Sequence, residues 1–301
     1  MRARALRPVV LPLAFVGVTL GAQQPPRVPP RPDSASLPGL TVDVKAGEFF
    51  LQAPDTIPAG ITTFRLHQIG ILAERHAAGM QGQALVADKG DNTRGFHMLW
   101  VVRLDSGKTM ADLYRATQAG DGAPWATHLG GPGLALPPRT ANATLSLTPG
   151  NYVLVCFVGS ARADRTRYHF LNGMSRALTV VATSRPATAA PRADVVARIV
   201  GEGVVEFSVP IRAGRQVIRV DNATERRKEF KFARMRTGVT GKDFLAQPDG
   251  TPAVGWGGLS DVPAGGSVTT TMDFEPGEYV VGTMQSFRSP TSRVVIVAAR
   301  R

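Results

Sequence analysis

Cysteine occurs once in this 301-residue chain, at Cys156, so no disulfide can form within it. That leaves the thiol three fates: buried filler, reactive group or metal ligand. Histidine is scarce too, at five positions, and residues 170–301 hold neither histidine nor cysteine. Acidic residues are outnumbered, 23 against 35 lysines and arginines, for a net charge of +12. So basic a chain raises nucleic acid as a partner. The arginines are scattered, however, with no basic helix and no register of basic and aromatic residues, so nucleic acid is not expected. An acidic protein or an anionic envelope surface suits the charge better. Long apolar runs are missing: residues 9–20 are too few to span a bilayer, and no later run is longer, so no membrane span is expected. Reaction motifs are missing as well, with no G-x-S-x-G elbow, P-loop, H-E-x-x-H or strand-linked G-x-G-x-x-G.

What is present begins with a leader. Arg2, Arg4 and Arg7 precede the apolar run, and Gly21 and Ala22 follow it. This is the pattern of a secretory signal peptide over residues 1–22, so the mature protein is expected in the periplasm or outside the cell. Residues 23–39 are proline-rich and read as an extended tether.

From residue 40 onward, short apolar-alternating runs are separated by Pro, Gly, Asp and Asn. Strands are expected over 41–51, 61–67, 96–104, 141–147, 152–158 and 177–182. One short helix is expected over 108–117, with Thr109 as its cap and Asp112 three residues on. Tyr152, Leu154 and Cys156 would share the core face of their strand. Residues 184–193 form a second linker, rich in Pro, Ala and Thr, and then the pattern starts again. Ala59-Gly60 recurs as Ala213-Gly214, and Arg103, Gly107, Thr109 and Asp112 recur as Arg234, Gly238, Thr240 and Asp243. Gly130-Gly131 recurs as Gly257-Gly258, and Pro149-Gly150-x-Tyr152 as Pro276-Gly277-x-Tyr279. A duplicated unit is the best account. The expected fold is all-β: two tandem Greek-key β-sandwich domains, over 40–183 and 194–301. The glycine pairs are expected in loops at the end of a sandwich rather than in phosphate cradles.

In this register His97 falls opposite Lys228 and Cys156 opposite Thr283. Turn and glycine features persist in both halves and serve folding, whereas the ligand-type residues are confined to the first. They gather around residues 149–174, PGNYVLVCFVGSARADRTRYHFLNGM. Cys156, His169 and Met174 supply a thiolate, an imidazole and a thioether, and His97 offers a second imidazole. Two imidazoles and a thiolate in a rough plane, with a weak axial thioether, make a blue-copper site. Soft sulfur and borderline nitrogen together tolerate both Cu(I) and Cu(II). His67, His76 and His128 belong to no H-x-H motif and form no second site.

The segment Gly150-Asn151-Tyr152-Val153-Leu154-Val155-Cys156 resembles the G-x-Y-x-x-x-C strand of the cupredoxins, the plastocyanin fold. His169 and Met174 resemble the family's H-x4-M pair, and HFLNGM is also similar to the same segment of copper nitrite reductases. Between Cys156 and His169 lie twelve residues, a longer excursion than in plastocyanin. The resemblance implies a copper cofactor held by His97, Cys156 and His169, with Met174 axial, in a protein that carries single electrons. Copper nitrite reductases and multicopper oxidases have a histidine beside that cysteine, wiring it to a second copper centre. Here the flanking residues are Val155 and Phe157, so no enzyme is expected. The ring edge of His169 is the expected electron exit, with Arg162, Arg165 and Arg167 beside it to face an acidic redox partner. The competing expectation is a copper-free cupredoxin-like envelope module for binding or structure, with Cys156 as a core residue.

Overall fold

A computed structural model describes residues 36–69, 97–134, 140–159, 168–184, 189–246, 253–283 and 293–298. In the first half the strands are β1 Leu40–Gly47, β2 Phe50–Gln52, β3 Thr56–Pro58, β4 Gly60–Gln68, β5 Trp100–Leu104, β6 Ala126–Pro132, β7 Ala141–Leu147, β8 Gly150–Val155 and β9 Ser175–Val181. The second half supplies β10 Val195–Gly201, β11 Val204–Phe207, β12 Gly214–Asn222, β13 Lys228–Met235, β14 Ala253–Val262, β15 Ser267–Phe274, β16 Gly277–Gly282 and β17 Arg293–Val297. Two helices accompany them, α1 Met110–Ala119 and α2 Gly241–Ala246. The expected all-β class is what forms. The leader and tether, residues 1–35, lie outside the described residues, as does part of the linker, 185–188. No helix among the described residues is long and apolar enough to cross a membrane.

Strand pairing repeats in the two halves. β1 runs parallel to β4, and β10 runs parallel to β12. β4 pairs antiparallel with β7 as β12 does with β15, and β5 pairs with β8 as β13 does with β16. Even the corners match. Tyr152 donates from its hydroxyl to the carbonyl of Thr148 at 2.7 Å, and Tyr279 to that of Glu275 at 3.1 Å. Both helices begin on the same cap: Thr109 and Asp112 exchange side-chain-to-backbone hydrogen bonds, and so do Thr240 and Asp243. The repeated residues in the sequence therefore mark repeated local geometry.

Both sheets run through both halves. One has the order β11-β10-β12-β15-β7-β4-β1-β2, the other β17-β16-β13-β14-β6-β5-β8-β9-β3. The joins are β7 to β15 and β6 to β14. Asn142 seals the first: its amide donates to the Thr271 carbonyl at 2.7 Å and its side-chain oxygen accepts from the Thr271 N–H at 2.8 Å. Near the second, the side chain of Ser260 donates to the Leu99 carbonyl, and Gly133 N–H donates to Gly258 at 2.9 Å. Apolar side chains such as Phe64, Leu66, Phe230 and Phe232 are almost wholly buried between the sheets. Each contributes about 1.5–3 kcal/mol by leaving water.

Three sequence expectations change. The run over 41–51 breaks at Glu48–Phe49 into β1 and β2, because Phe49 turns left-handed at φ +62°. The strand expected over 96–104 starts only at Trp100; residues 97–99 lie outside the strand, and Phe96 lies outside the described residues. The glycine pairs are not loop ends: Gly130-Gly131 lies in β6 and Gly257-Gly258 in β14, at the join of the halves. A methyl on Gly131 would sit 1.9 Å from the Leu99 carbonyl oxygen, and one on Gly258 1.9 Å from that of Phe230. Close passage of a neighbouring backbone is why glycine is needed there. Tyr152 to Cys156 are all buried, so β8 has no solvent face to contrast with its core face.

Candidate metal centre

β8 ends at Val155 and delivers Cys156 to the interior, flanked in the chain by the apolar Val155 and Phe157. The chain then leaves and returns. An isolated bridge between Gly159 and Tyr168 pinches off the excursion, whose residues 160–167 lie outside the described set. After the bridge, residues His169–Asn172 form one 3₁₀ turn. Its register on the cysteine is fixed by backbone hydrogen bonds: His169 N–H to Val158 at 2.9 Å, and Phe170 N–H to Cys156 at 2.8 Å. Gly173, at φ +108°, reverses the chain and lets Met174 N–H donate to His169 at 3.1 Å, while the Met174 carbonyl accepts from Cys156 at 3.1 Å. Helix α1 braces this turn through Tyr114, whose hydroxyl donates to the Leu171 carbonyl at 3.3 Å and whose ring meets Phe170.

His97 arrives from the segment before β5, held by Gln68, whose amide donates to the His97 carbonyl at 2.6 Å. Candidate ligand atoms of His97, Cys156 and His169 all lie within 4.8 Å of one another, and all three residues are buried. Cys156 Sγ is 3.7 Å from His169 Nδ1, and the two imidazole rings are 5.2 Å apart. Met174 is fully buried, and its backbone bonds those of Cys156 and His169. The structure thus brings together the cysteine and both histidines across a sequence span of 73 positions (97 to 169 inclusive).

The donor chemistry fits a metal ion. His97 is 1% exposed, yet neither ring nitrogen has a hydrogen-bond partner in the protein. Burying an imidazole without partners is costly, and a metal removes that cost. The sulfur is fully enclosed, and desolvation pushes the Cys156 thiol up to about 12, against a smaller opposing effect of the backbone at Met98 and Val158. A metal-free core therefore holds a protonated thiol.

Other candidates resolve differently. His67 pairs at the surface with Asp43 at 2.6 Å, and Arg65 binds the same carboxylate, which holds Asp43 down to about 2. His76 and the arginines Arg162, Arg165 and Arg167 lie outside the described residues. Among the described residues His128 joins no metal-type group; its Nδ1 is 2.9 Å from the carboxylate of Asp261 in the other half, which Arg227 also engages at 3.1 Å. Its ring stacks on Phe157 at 5.7 Å, and Phe157 also meets Trp100, Tyr168 and Phe170. His128, Phe157 and Asp261 line a cleft of about 1030 Å³ between the halves. His169, the expected electron exit, is 0% exposed. Two residues escaped the sequence reading, Glu48 and Phe49. Glu48 Oε1 lies 4.0 Å from His97 Nε2, and the Phe49 ring stands edge-on to His169 at 5.4 Å.

A two-sheet all-β protein with a buried His-Cys-His group is a cupredoxin-like arrangement. The chain is also similar, at low identity, to solved structures. Reduced auracyanin from Roseiflexus castenholzii matches at 18% identity over 48% of this chain and 98% of its own, with a TM-score of 0.24. A multicopper oxidase matches at 11% identity over 86% of this chain and 88% of its own, TM-score 0.21. A copper nitrite reductase from Nitrosomonas europaea matches at 13% identity over 86% and 94%, TM-score 0.22. No family model and no curated protein matches the chain. The expectation of a non-enzyme does not stand: oxidases and nitrite reductases are among the solved structures that the chain resembles. A missing histidine beside Cys156 bears only on wiring to a second copper centre; it does not exclude catalysis. At such TM-scores the likenesses say nothing of activity, and the chemistry rests on the site.

Proposed function

We propose that the protein holds one copper ion through His97, Cys156 and His169, with Met174 as a weak axial ligand, and that it moves electrons one at a time. The observation that carries this is His97, a buried imidazole with two unpartnered nitrogens, set beside a buried thiol and a second imidazole. Copper in such a donor set supplies reversible one-electron chemistry. The chain supplies the rest. Backbone hydrogen bonds fix Cys156, His169 and Met174 on one short turn, and Gln68 fixes His97, so the ligands have little room to rearrange.

With His169 buried, Phe157 is the better electron path. It follows Cys156 directly and stacks on His128 at the cleft wall. Export to the periplasm or beyond, and an acidic redox partner drawn by the +12 charge, complete the reading. The half over 194–301 would serve as a metal-free packing or docking partner to the half over 40–183.

The test is direct. Cu(II) added to the metal-free protein at one equivalent is expected to raise an intense visible thiolate-to-copper band, absent in Cys156→Ser. A colourless mixture refutes the reading.

A further inference from the structure

The turn between β1 and β2 lies over the histidine pair, and the second half contains its counterpart. Gly47-Glu48-Phe49 answers to Gly201-Glu202-Gly203 between β10 and β11. The backbone agrees: Phe49 has φ +62° and Gly203 has φ +68°. In the second half Glu202 forms an ion pair with Lys228, the residue that stands where His97 stands in the first. The Gly203 N–H donates at 2.7 Å to Thr283 Oγ1, and Thr283 stands where Cys156 stands. The same turn glutamate therefore faces the same position in both halves, a lysine in one and His97 in the other.

We infer that Glu48 is a positioning residue of the metal centre, accepting the proton-bearing Nε2 of His97 and leaving Nδ1 for the metal. This rests on the copper reading above. Three observations converge on it. Glu48 Oε1 is already 4.0 Å from Nε2, about 1 Å beyond hydrogen-bond length, and its side chain is 23% exposed. The Glu202–Lys228 pair shows that a carboxylate on this turn reaches that position. Phe49 also keeps a left-handed backbone where the second half uses glycine, a strain of about 1–3 kcal/mol that a non-glycine residue retains for a reason. Its ring is that reason: it stands edge-on to His169 and closes the site above the second imidazole. The turn thus secures both histidines, one through a carboxylate and one through a ring.

A carboxylate behind a ligating imidazole fixes its tautomer and raises its basicity, and loss of such a group lowers metal affinity about 10–100-fold. The negative charge favours Cu(II) over Cu(I). Glu48→Ala in the full chain is expected to weaken Cu(II) at least about tenfold, measured by chelator competition. If Cu(I) affinity is unchanged, the reduction potential rises by about 59 mV per tenfold loss. Glu48→Gln, which keeps an acceptor oxygen but no charge, should recover part of the affinity, and thermal unfolding of the metal-free variants should match the parent. Wild type that binds copper while Glu48→Ala leaves both affinity and potential unchanged overturns the role of Glu48 and leaves the copper centre standing. Wild type that binds no copper overturns both. An equal loss of metal-free stability in Glu48→Ala and Glu48→Gln, with no change in potential, makes Glu48 a folding residue only and likewise overturns the inference.

Discussion

Copper uptake by the metal-free protein is expected to expel a proton from Cys156, and the pH dependence can be worked from the burial. The thiol is wholly enclosed, and desolvation lifts it to about 12. At pH 7 it lies about five units below that value, and each unit corresponds to about 1.36 kcal/mol, so ionising it costs about 7 kcal/mol. The copper–thiolate bond must offset that cost, because the thiolate and not the thiol is the ligand. Apparent affinity should therefore rise about tenfold per pH unit across pH 8–10, where the thiol is still protonated without metal. Chelator competition at pH 8, 9 and 10, corrected for protonation of the chelator, gives the slope. An indicator dye in weak buffer counts the protons released in the same range. A slope near one and one proton per copper are expected. Affinity that is flat with pH, or release well below one proton, would mean that the thiol is already ionised in the metal-free core, and the burial argument would be wrong.

The same shift sets alkaline stability. The native thiol keeps its proton above the ordinary value of 9.0, so its contribution is fully present below pH 9 and is lost as pH climbs toward 12. Up to about 4 kcal/mol is at stake over those three units; urea midpoints of the metal-free protein should fall between pH 8 and 10.5, and Cys156→Ser should show a shallower fall. Gly131→Ala is expected to destabilise by about 3 kcal/mol, because its methyl meets the Leu99 carbonyl at 1.9 Å and the Leu99 N–H is bonded to Pro132 at 3.0 Å. An unchanged denaturation midpoint would show that the backbone at Leu99 yields more easily than this packing implies.

Much of the site could be read before the fold was known, because ligand identity and order are local properties of the chain. Cys156, His169 and Met174 lie on one short stretch, and the H-x4-M spacing survives as a 3₁₀ turn closed by Gly173. The excursion after Val158 is closed by the Gly159–Tyr168 bridge, directly before His169. The sharing of both sheets by the two halves was not legible. Pairing of Thr144 with Thr269 leaves no periodic trace in either strand, since an edge strand and a central strand carry the same alternation. Glu48 was missed for another reason: a single glutamate in a turn reads as solvated. The repeat held the signal, in Gly47-Glu48 returning as Gly201-Glu202, but only the ion pair with Lys228 shows what such a glutamate can reach.

The join between the halves has a further consequence. Pro132 of β6 meets Leu259 of β14, and these two occupy the same place in their respective repeats. Asn142 binds Thr271, and Thr144 is paired with Thr269; each of these contacts is the other with its partners exchanged. Reciprocity of that kind is the mark of an isologous, twofold interface. The chain is built like a homodimer whose subunits were spliced end to end, with one of two equivalent seats filled by His97, Cys156 and His169 and the other by Lys228 and Thr283. Being covalently joined, the halves can differ in sequence without competing assemblies of like with like, a freedom that two separate identical subunits do not have.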